Sequence, residues 1–427
     1  MSTTPPPATE PVAPPVSRAP AKAPRGYVPG VSFAAFGVYF ALFTPVMVAM
    51  AFKIQHIDPD GAVGSLGLVL GAGAAFALFA NPLFGRLSDR SMSRLGKRRP
   101  FIVGGALVGS LALVTIGAAQ SVAVVLVAWC VAQGAYNAAL SAIIATLHDQ
   151  VAPAGRGKAS GLIGVGTPLS ILAGSLVANA FASDFWRFTI PAAVAVVLAT
   201  VFALVLDDVV RTERPTESFG PREFFGSFVF NPRRNPDFGW TWLTKFLVMF
   251  GYAGIATYLP YYLTSDFGLS EDAATGVILA ANMASTVAMV VSSPLGGLLS
   301  DRIGRRKPFV TVAGLVMVVG LLLLAFAPSI PVLIVAQAII GLGAGSFLSV
   351  DQALATQVLP NPEDAAKDLG VMNMANALPQ SIAPMMAPAV IGLGTAIGVG
   401  GYTTWYLFGG LVALAGAVLV YRIQGVR

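Results

Sequence analysis

Apolar residues in this chain neither alternate nor mark one face of a helix. They fill whole stretches of about 20 residues or more, the length an α-helix needs to cross a hydrocarbon layer about 30 Å thick. Twelve such stretches are legible: 30–52, 62–85, 100–119, 121–147, 159–181, 185–206, 238–264, 272–296, 308–327, 331–357, 368–393 and 401–421. Short polar or proline turns such as Ala119-Gln120 and Pro328-Ser329-Ile330-Pro331 part several of them. The pattern predicts an all-α membrane protein of twelve transmembrane helices. Gly and Pro recur inside the spans, where neighbouring helices re-satisfy freed backbone groups and small residues admit close packing.

Composition agrees. Hydrophobic residues make up 56% of 427 and charged residues 11%, against about 25% charged in a soluble chain. That is too little charge to solvate a globule, which excludes a cytosolic enzyme and a nucleic-acid partner. The formal charge of +6 is instead read through loop location. Of the 26 Lys and Arg, 23 fall in the tail and in alternate loops, and Lys53 and Arg187 fall on the opposite side. This asymmetry places both termini in the cytoplasm, and the expected location is the cell (plasma or inner) membrane. His56 is expected beside Lys53 in the first outer loop. Residues 1–26 are Pro/Ala-rich, and we expect a disordered cytoplasmic tail without a signal-peptide pattern. The lone Cys130 excludes an internal disulfide, and two distant His with one Cys make no metal site.

The chain repeats itself. Asn81-Pro-Leu-Phe-Gly-Arg-Leu-Ser-Asp-Arg90 matches Ser293-Pro-Leu-Gly-Gly-Leu-Leu-Ser-Asp-Arg302 at seven of ten positions, at an offset of 212. Gly96-Lys-Arg-Arg-Pro-Phe101 matches Gly304-Arg-Arg-Lys-Pro-Phe309, and Gln150-Val-Ala-Pro153 matches Gln357-Val-Leu-Pro360. Three matches in order imply a duplicated six-helix unit. The expected division is a bundle over 27–206, a charged cytoplasmic loop over 207–237 and a second bundle over 238–427.

Two six-helix halves related by an axis along the membrane normal resemble the major facilitator superfamily. So does the basic loop Gly85-Arg-Leu-Ser-Asp-Arg-Ser-Met-Ser-Arg-Leu-Gly-Lys-Arg-Arg-Pro-Phe-Ile102. Its spacing is similar to that of the sucrose:proton symporters and their glycoside–pentoside–hexuronide relatives. The resemblance implies that Gly85, Asp89, Arg90, Arg94, Gly96 and Arg98, with Asp301 and Arg302 in the second copy, form a cytoplasmic gating latch. Asp149, at the end of the fourth span, is expected to partner the basic loop. Independently of family, a carboxylate there can pair with a guanidinium or a helix N-terminus in one conformation and lose it in another. The basic residues could equally serve topology and anionic lipid alone. Proton-driven drug exporters often carry an Arg on helix 4 where this chain has Cys130, and Gly-Pro on helix 5 where it has Thr167-Pro168.

Charge at membrane depth is costly and marks cavities or partners. Asp351 in the tenth span and Lys245 in the seventh lie at similar depth, about 10 Å in at a rise of ~1.5 Å per residue. We expect them to pair, with Asp351 facing the cavity as a proton carrier; a static ion pair is the plainer alternative. The repeat sets Ile144 opposite Asp351, and seven and eleven residues back lie Asn137 and Gln133 on the same face. Their amides suit a polyhydroxyl ligand or an interhelical bond. Further cavity candidates are Tyr252, Tyr39, Asn373 and Asn376; Tyr39 belongs to an aromatic run with Phe36, Phe40 and Phe43 that could equally be core.

No phosphate-binding loop is present, so no nucleotide drives the protein, and no nucleophile–base constellation makes it an enzyme. No cofactor is expected. The sequence reading is a monomeric secondary transporter whose partners are the lipid bilayer, a small solute and a proton, with symport of a sugar or glycoside preferred. Proton-driven efflux of drugs or metabolites is the alternative, and a non-transporting receptor or sensor on the same fold is a third.

Overall fold

The computed structural model describes residues 23–208, 210, 220, 232–358 and 365–424. Most of the expected tail and inter-half loop therefore lies outside the described residues. The described residues contain twelve helices long and apolar enough to cross a membrane, and no strand. They are α1 (Tyr27–Ile57), α2 (Ala62–Asp89), α3 (Arg99–Ala118), α4 (Val122–Gln150), α5 (Pro153–Ala180) and α6 (Asp184–Val205). After the inter-half segment come α7 (Pro236–Ser265), α8 (Glu271–Ile303), α9 (Lys307–Ala325), α10 (Ile330–Gln357), α11 (Ala365–Ala396) and α12 (Gly401–Leu419).

Several helices outrun their apolar stretches. The apolar window of α2 closes at residue 85, but the helix continues to Asp89 because nothing in Arg-Leu-Ser-Asp breaks it. α8 runs seven residues past its window, until Gly304 stops it with a left-handed φ of 67°. α1 reaches Ile57 through a π-turn at Pro45–Ala49. Lys53 and His56 are thus not loop residues, as the hydropathy suggested, but lie in the last two turns of α1.

The two halves pack alike. In the first, α4 packs on α2 and α3, α6 on α1 and α3, and α5 on α1; in the second, α10 packs on α8 and α9, α12 on α7 and α9, and α11 on α7. Between halves the main pairs are α2 with α11 and α5 with α8, which exchange under the same pseudo-symmetry. The outside of the bundle is apolar, the reverse of a soluble protein: Leu111, Leu204 and Leu411 stand exposed on it, as a lipid-facing surface requires.

With "inner" denoting the end that carries the basic loops, the described cross-half contacts sit at the outer end. A Cβ added to Gly67 would run into the Pro384 carbonyl, and one on Gly71 into the Met385 side chain, so only glycine lets α2 seat on α11. The Tyr258 hydroxyl lies between the carbonyls of Val63 (3.2 Å) and Pro384 (2.9 Å). The Tyr261 hydroxyl donates to the Ala51 carbonyl at 2.7 Å. Across α5 and α8, Asn282 Nδ2 donates to Ser175 Oγ at 2.8 Å and Asn179 Nδ2 to Thr275 Oγ1 at 3.3 Å. The outer ends of the halves are closed on one another.

Candidate functional site

Each half carries a polar cluster inside its bundle. In the second half, Lys245 on α7 meets Asp351 on α10, Nζ to Oδ2 at 2.8 Å. Their side chains are 3% and 2% exposed. The expectation that Asp351 opens to a cavity is corrected in this conformation: the carboxylate is sealed against α7 by its own partner. Thr244, beside Lys245, has a buried Oγ1 without a hydrogen-bond partner. Tyr252, two turns along α7, is half-buried and packs on two apolar clusters, the large one that spans both halves and a smaller one within this half. On α11, Asn373 is exposed and Asn376 half-buried. Asn376 Oδ1 is a buried acceptor with no partner, so α11 presents an unspent amide oxygen to whatever enters beside it.

In the first half, Gln133 and Asn137 share one face of α4 and are both buried. Asn137 Nδ2 donates to the Gln133 carbonyl at 2.8 Å, and Asn81 Nδ2 on α2 donates to Asn137 Oδ1 at 3.2 Å. The interhelical role of Asn137 is therefore realised, through a residue the sequence reading did not single out. Asn81 heads the repeated segment where the second copy has Ser293, and a polar residue eight positions into the membrane from Asp89 was the available signal. Tyr39 on α1 is half-buried and stacks on Phe43 with ring centroids 6.0 Å apart; Phe36 stacks on Phe40 at 5.8 Å.

At the inner end, Arg98 organises the basic loop. Its guanidinium reaches Asp89 at 2.5 Å and Asp149 at 3.1 Å, and Lys97 reaches Asp149 at 2.9 Å. Arg98 is buried while Asp89 is exposed. These contacts join α2, the loop and α4 of one half. Asp208, which the sequence reading passed over, accepts the backbone N–H groups of Arg98 (2.7 Å) and Arg99 (2.8 Å) through one oxygen. It thereby caps α3, whose first N–H groups have no intrahelical acceptor. Gly96 adopts φ 102°, and a Cβ there would collide with the Asp208 carboxylate; glycine is required on both counts. Arg94 is exposed, and Gly85 and Arg90 lie half-buried on and just after the last turns of α2. The second copy is looser: Asp301 pairs with Arg306 at 3.0 Å on an exposed surface, beside an exposed Arg302. Among the described residues no cluster of His, Cys, Asp and Glu is arranged to hold a metal ion.

The Major Facilitator Superfamily model matches residues 30–291 and 241–426. The chain belongs to that superfamily. Within it, the chain is 27% identical over 128 residues to the minor myo-inositol transporter IolF of Bacillus subtilis (strain 168), covering 30% of this chain and 27% of that protein. It is 46% identical over 50 residues to the sucrose transport protein SUC4 of Arabidopsis thaliana, covering 12% of this chain and 10% of that one. The chain thus matches about a quarter or less of the length of these two relatives. The crystal structure of the nucleoside transporter NupG superposes with a TM-score of 0.76 at 13% identity, over 93% of this chain and 99% of that one, a likeness of fold.

Proposed function

We propose that this superfamily member transports a small polyhydroxylated solute, of the sugar, glycoside or polyol class, by alternating access coupled to protons. The observation that carries the coupling is the Lys245–Asp351 pair, a 2.8 Å contact between two buried charges on helices of one half. A carboxylate so placed has two states, and the second is costly until a ligand takes the place of the lost counter-charge. Ionised, it is held by the Lys245 ammonium. Protonated, it releases the ammonium and becomes a hydrogen-bond donor. The first state needs no solute, whereas the second leaves a lysine and a carboxylic acid free to bond a hydroxylated ligand, so solute and proton favour each other. Asn376, Asn373, Gln133 and Tyr252 supply the neutral donors and acceptors such a ligand needs, as a charged ligand would not. The inner latch of Asp89, Arg98 and Asp149 would hold one end state and rearrange in the other, with Arg90, Arg94, Asp301 and Arg302 around the same mouth. IolF and SUC4 bear names that specify a polyol and a disaccharide, which supports the solute class. The asymmetry of Lys and Arg supports cytoplasmic termini.

The test is solute-induced proton movement. Purified protein in liposomes containing a pH-sensitive dye is offered a panel of disaccharides, monosaccharides and polyols. Acidification of the lumen by one class supports the proposal and names the solute. No acidification by any of them, with exchange of a labelled sugar also absent, contradicts it.

A further inference from the structure

The two cations that the hydropathy assigned to outer loops are the most enclosed charged groups at the outer end. Arg187 on α6 is 1% exposed and its Nε donates to the carbonyls of Ala178 (3.1 Å) and Phe181 (2.7 Å). The guanidinium lies 5.6 Å over the Phe52 ring and forms an ion pair with Glu271 at the start of α8. Lys53 on α1 donates to the Gly117 carbonyl at 3.0 Å and lies 3.6 Å from Asp184 at the start of α6. Between the two carboxylates stands His56. Its Nδ1 is 3.0 Å from Asp184 Oδ2 and its Nε2 is 2.9 Å from Glu271 Oε2. Asp184 belongs to the first half and Glu271 to the second, so the imidazole bridges the halves.

We infer that His56 is an external proton-binding site, and that the proton it takes up locks the outer ends of the two halves together. Hydrogen-bond valence requires this. An ionised carboxylate only accepts hydrogen bonds, and a neutral imidazole has one N–H donor. Both contacts are therefore made only by the doubly protonated ring. Each carboxylate is also paired with a cation, Asp184 with Lys53 and Glu271 with Arg187, so neither supplies the missing hydrogen. On deprotonation one ring nitrogen turns a lone pair toward a carboxylate, and the bridge is lost or inverted. The ring is 47% exposed, so outside water reaches it while the outer mouth is closed.

The charged surroundings are complete enough to fix the sign. Facing the ring are Asp184 from α6 and Glu271 from α8, with Lys53 of its own helix on the Asp184 carboxylate and Arg187 of α6 on that of Glu271; Asp272 follows Glu271 in the first turn of α8. Asp58, in the loop after α1, is turned to the Gly61 N–H (3.1 Å) and the Ser65 hydroxyl (2.6 Å). From α7 comes the Tyr261 hydroxyl, which is spent on the Ala51 carbonyl. Lys53 and Arg187 pair with the same two carboxylates, and the hydrogen bonds and charges of Asp184 and Glu271 together hold the proton on His56. The lock is present at acid external pH and lost as pH rises through the titration of the ring. The Arg187–Glu271 ion pair still joins α6 to α8 when the His56 bridge is lost, so the gate loosens without falling open.

The inference rests on alternating access and is independent of Asp351 and of the solute. Its test reads outer opening without transport. In a Cys130→Ser background, Ser175→Cys places a thiol at the contact of Ser175 with Asn282, where the native residue is buried. A membrane-impermeant maleimide added to intact cells reaches it only when α5 and α8 part. With His56 present, the labelling rate between about pH 5 and pH 8 should rise roughly five- to tenfold beyond the rise due to thiol ionisation. His56→Gln supplies that baseline, its rate rising with thiol ionisation alone and exceeding that of the His56 protein most at acid pH. His56→Arg, with a permanent charge, should stay slower than His56→Gln at every pH. Parallel pH profiles with His56 intact and in His56→Gln, or fast labelling of His56→Arg, would overturn the inference. Failure of sugar-driven proton flux would leave it standing, because that assay reads a different site.

Discussion

Breaking the Lys245–Asp351 pair one residue at a time gives the sharpest quantitative expectation. At 2.8 Å, two unit charges attract by about 6 kcal/mol in an effective dielectric of about 20. Desolvating both charges offsets much of that, so the intact pair contributes little net stability. Removing one partner is different, because it leaves the other buried without its counter-charge, at a cost of about 3–5 kcal/mol. Asp351→Asn and Lys245→Met should each destabilise the protein by that order. The double variant, which buries no charge, should recover at least about 2 kcal/mol of the summed loss. Denaturant unfolding in detergent micelles, followed by the fluorescence of Trp240 and Trp242 on α7, measures all three differences in one cycle. Additivity to within about 0.5 kcal/mol would refute the reasoning, since it would mean that the two charges do not depend on one another.

Other sites carry smaller expectations. Asp208→Ala frees the N–H groups of Arg98 and Arg99 and should cost about 1–2 kcal/mol, with faster protease cleavage of the 90–98 loop as the readout. Gly71→Leu places a side chain where Met385 and the Ser381 carbonyl already stand. It should wedge α2 from α11 and raise the labelling of the Ser175→Cys reporter, whereas unchanged labelling would show that this contact is no part of the outer closure. Asn81→Ala removes the donor to Asn137 Oδ1 and should cost about 0.5–1.5 kcal/mol of stability; a loss of solute affinity larger than that of Asn137→Ala would instead make Asn81 a ligand.

The sequence disclosed the architecture because lipid imposes it. A helix that must satisfy every backbone group inside a hydrocarbon layer reads as a long apolar run, and the repeated Pro-Leu-x-Gly-x-Leu-Ser-Asp-Arg exposes the duplication. Lys245 and Asp351 were legible as a pair because charge is so rare at that depth that two at one level invite each other. Burial was not legible. Helical spacing sets Asp351 on a face, but whether α7 covers that face depends on how α7 and α10 pack within their half. The outer cluster was missed for a related reason. Hydropathy assigns Lys53 and His56 to water as soon as the first apolar window ends, and Arg187, at the start of the sixth, was counted with the outer side, although α1 continues to Ile57 and α6 opens with Asp184. Glu271 lies 84 residues from Arg187 and 215 from His56, and no local pattern joins them. Asp208 escaped notice because an acidic residue after a span carries no signature until its oxygen is seen on the N–H groups of α3.

The central claim is that solute movement and proton movement meet at Asp351, and one comparison tests it most directly. Liposomes bearing wild-type protein or Asp351→Asn are assayed for exchange of labelled solute at equal concentrations and for uphill accumulation under an inward proton gradient. The account predicts that Asp351→Asn retains exchange and loses accumulation, together with the accompanying proton flux. Undiminished accumulation by Asp351→Asn would contradict it.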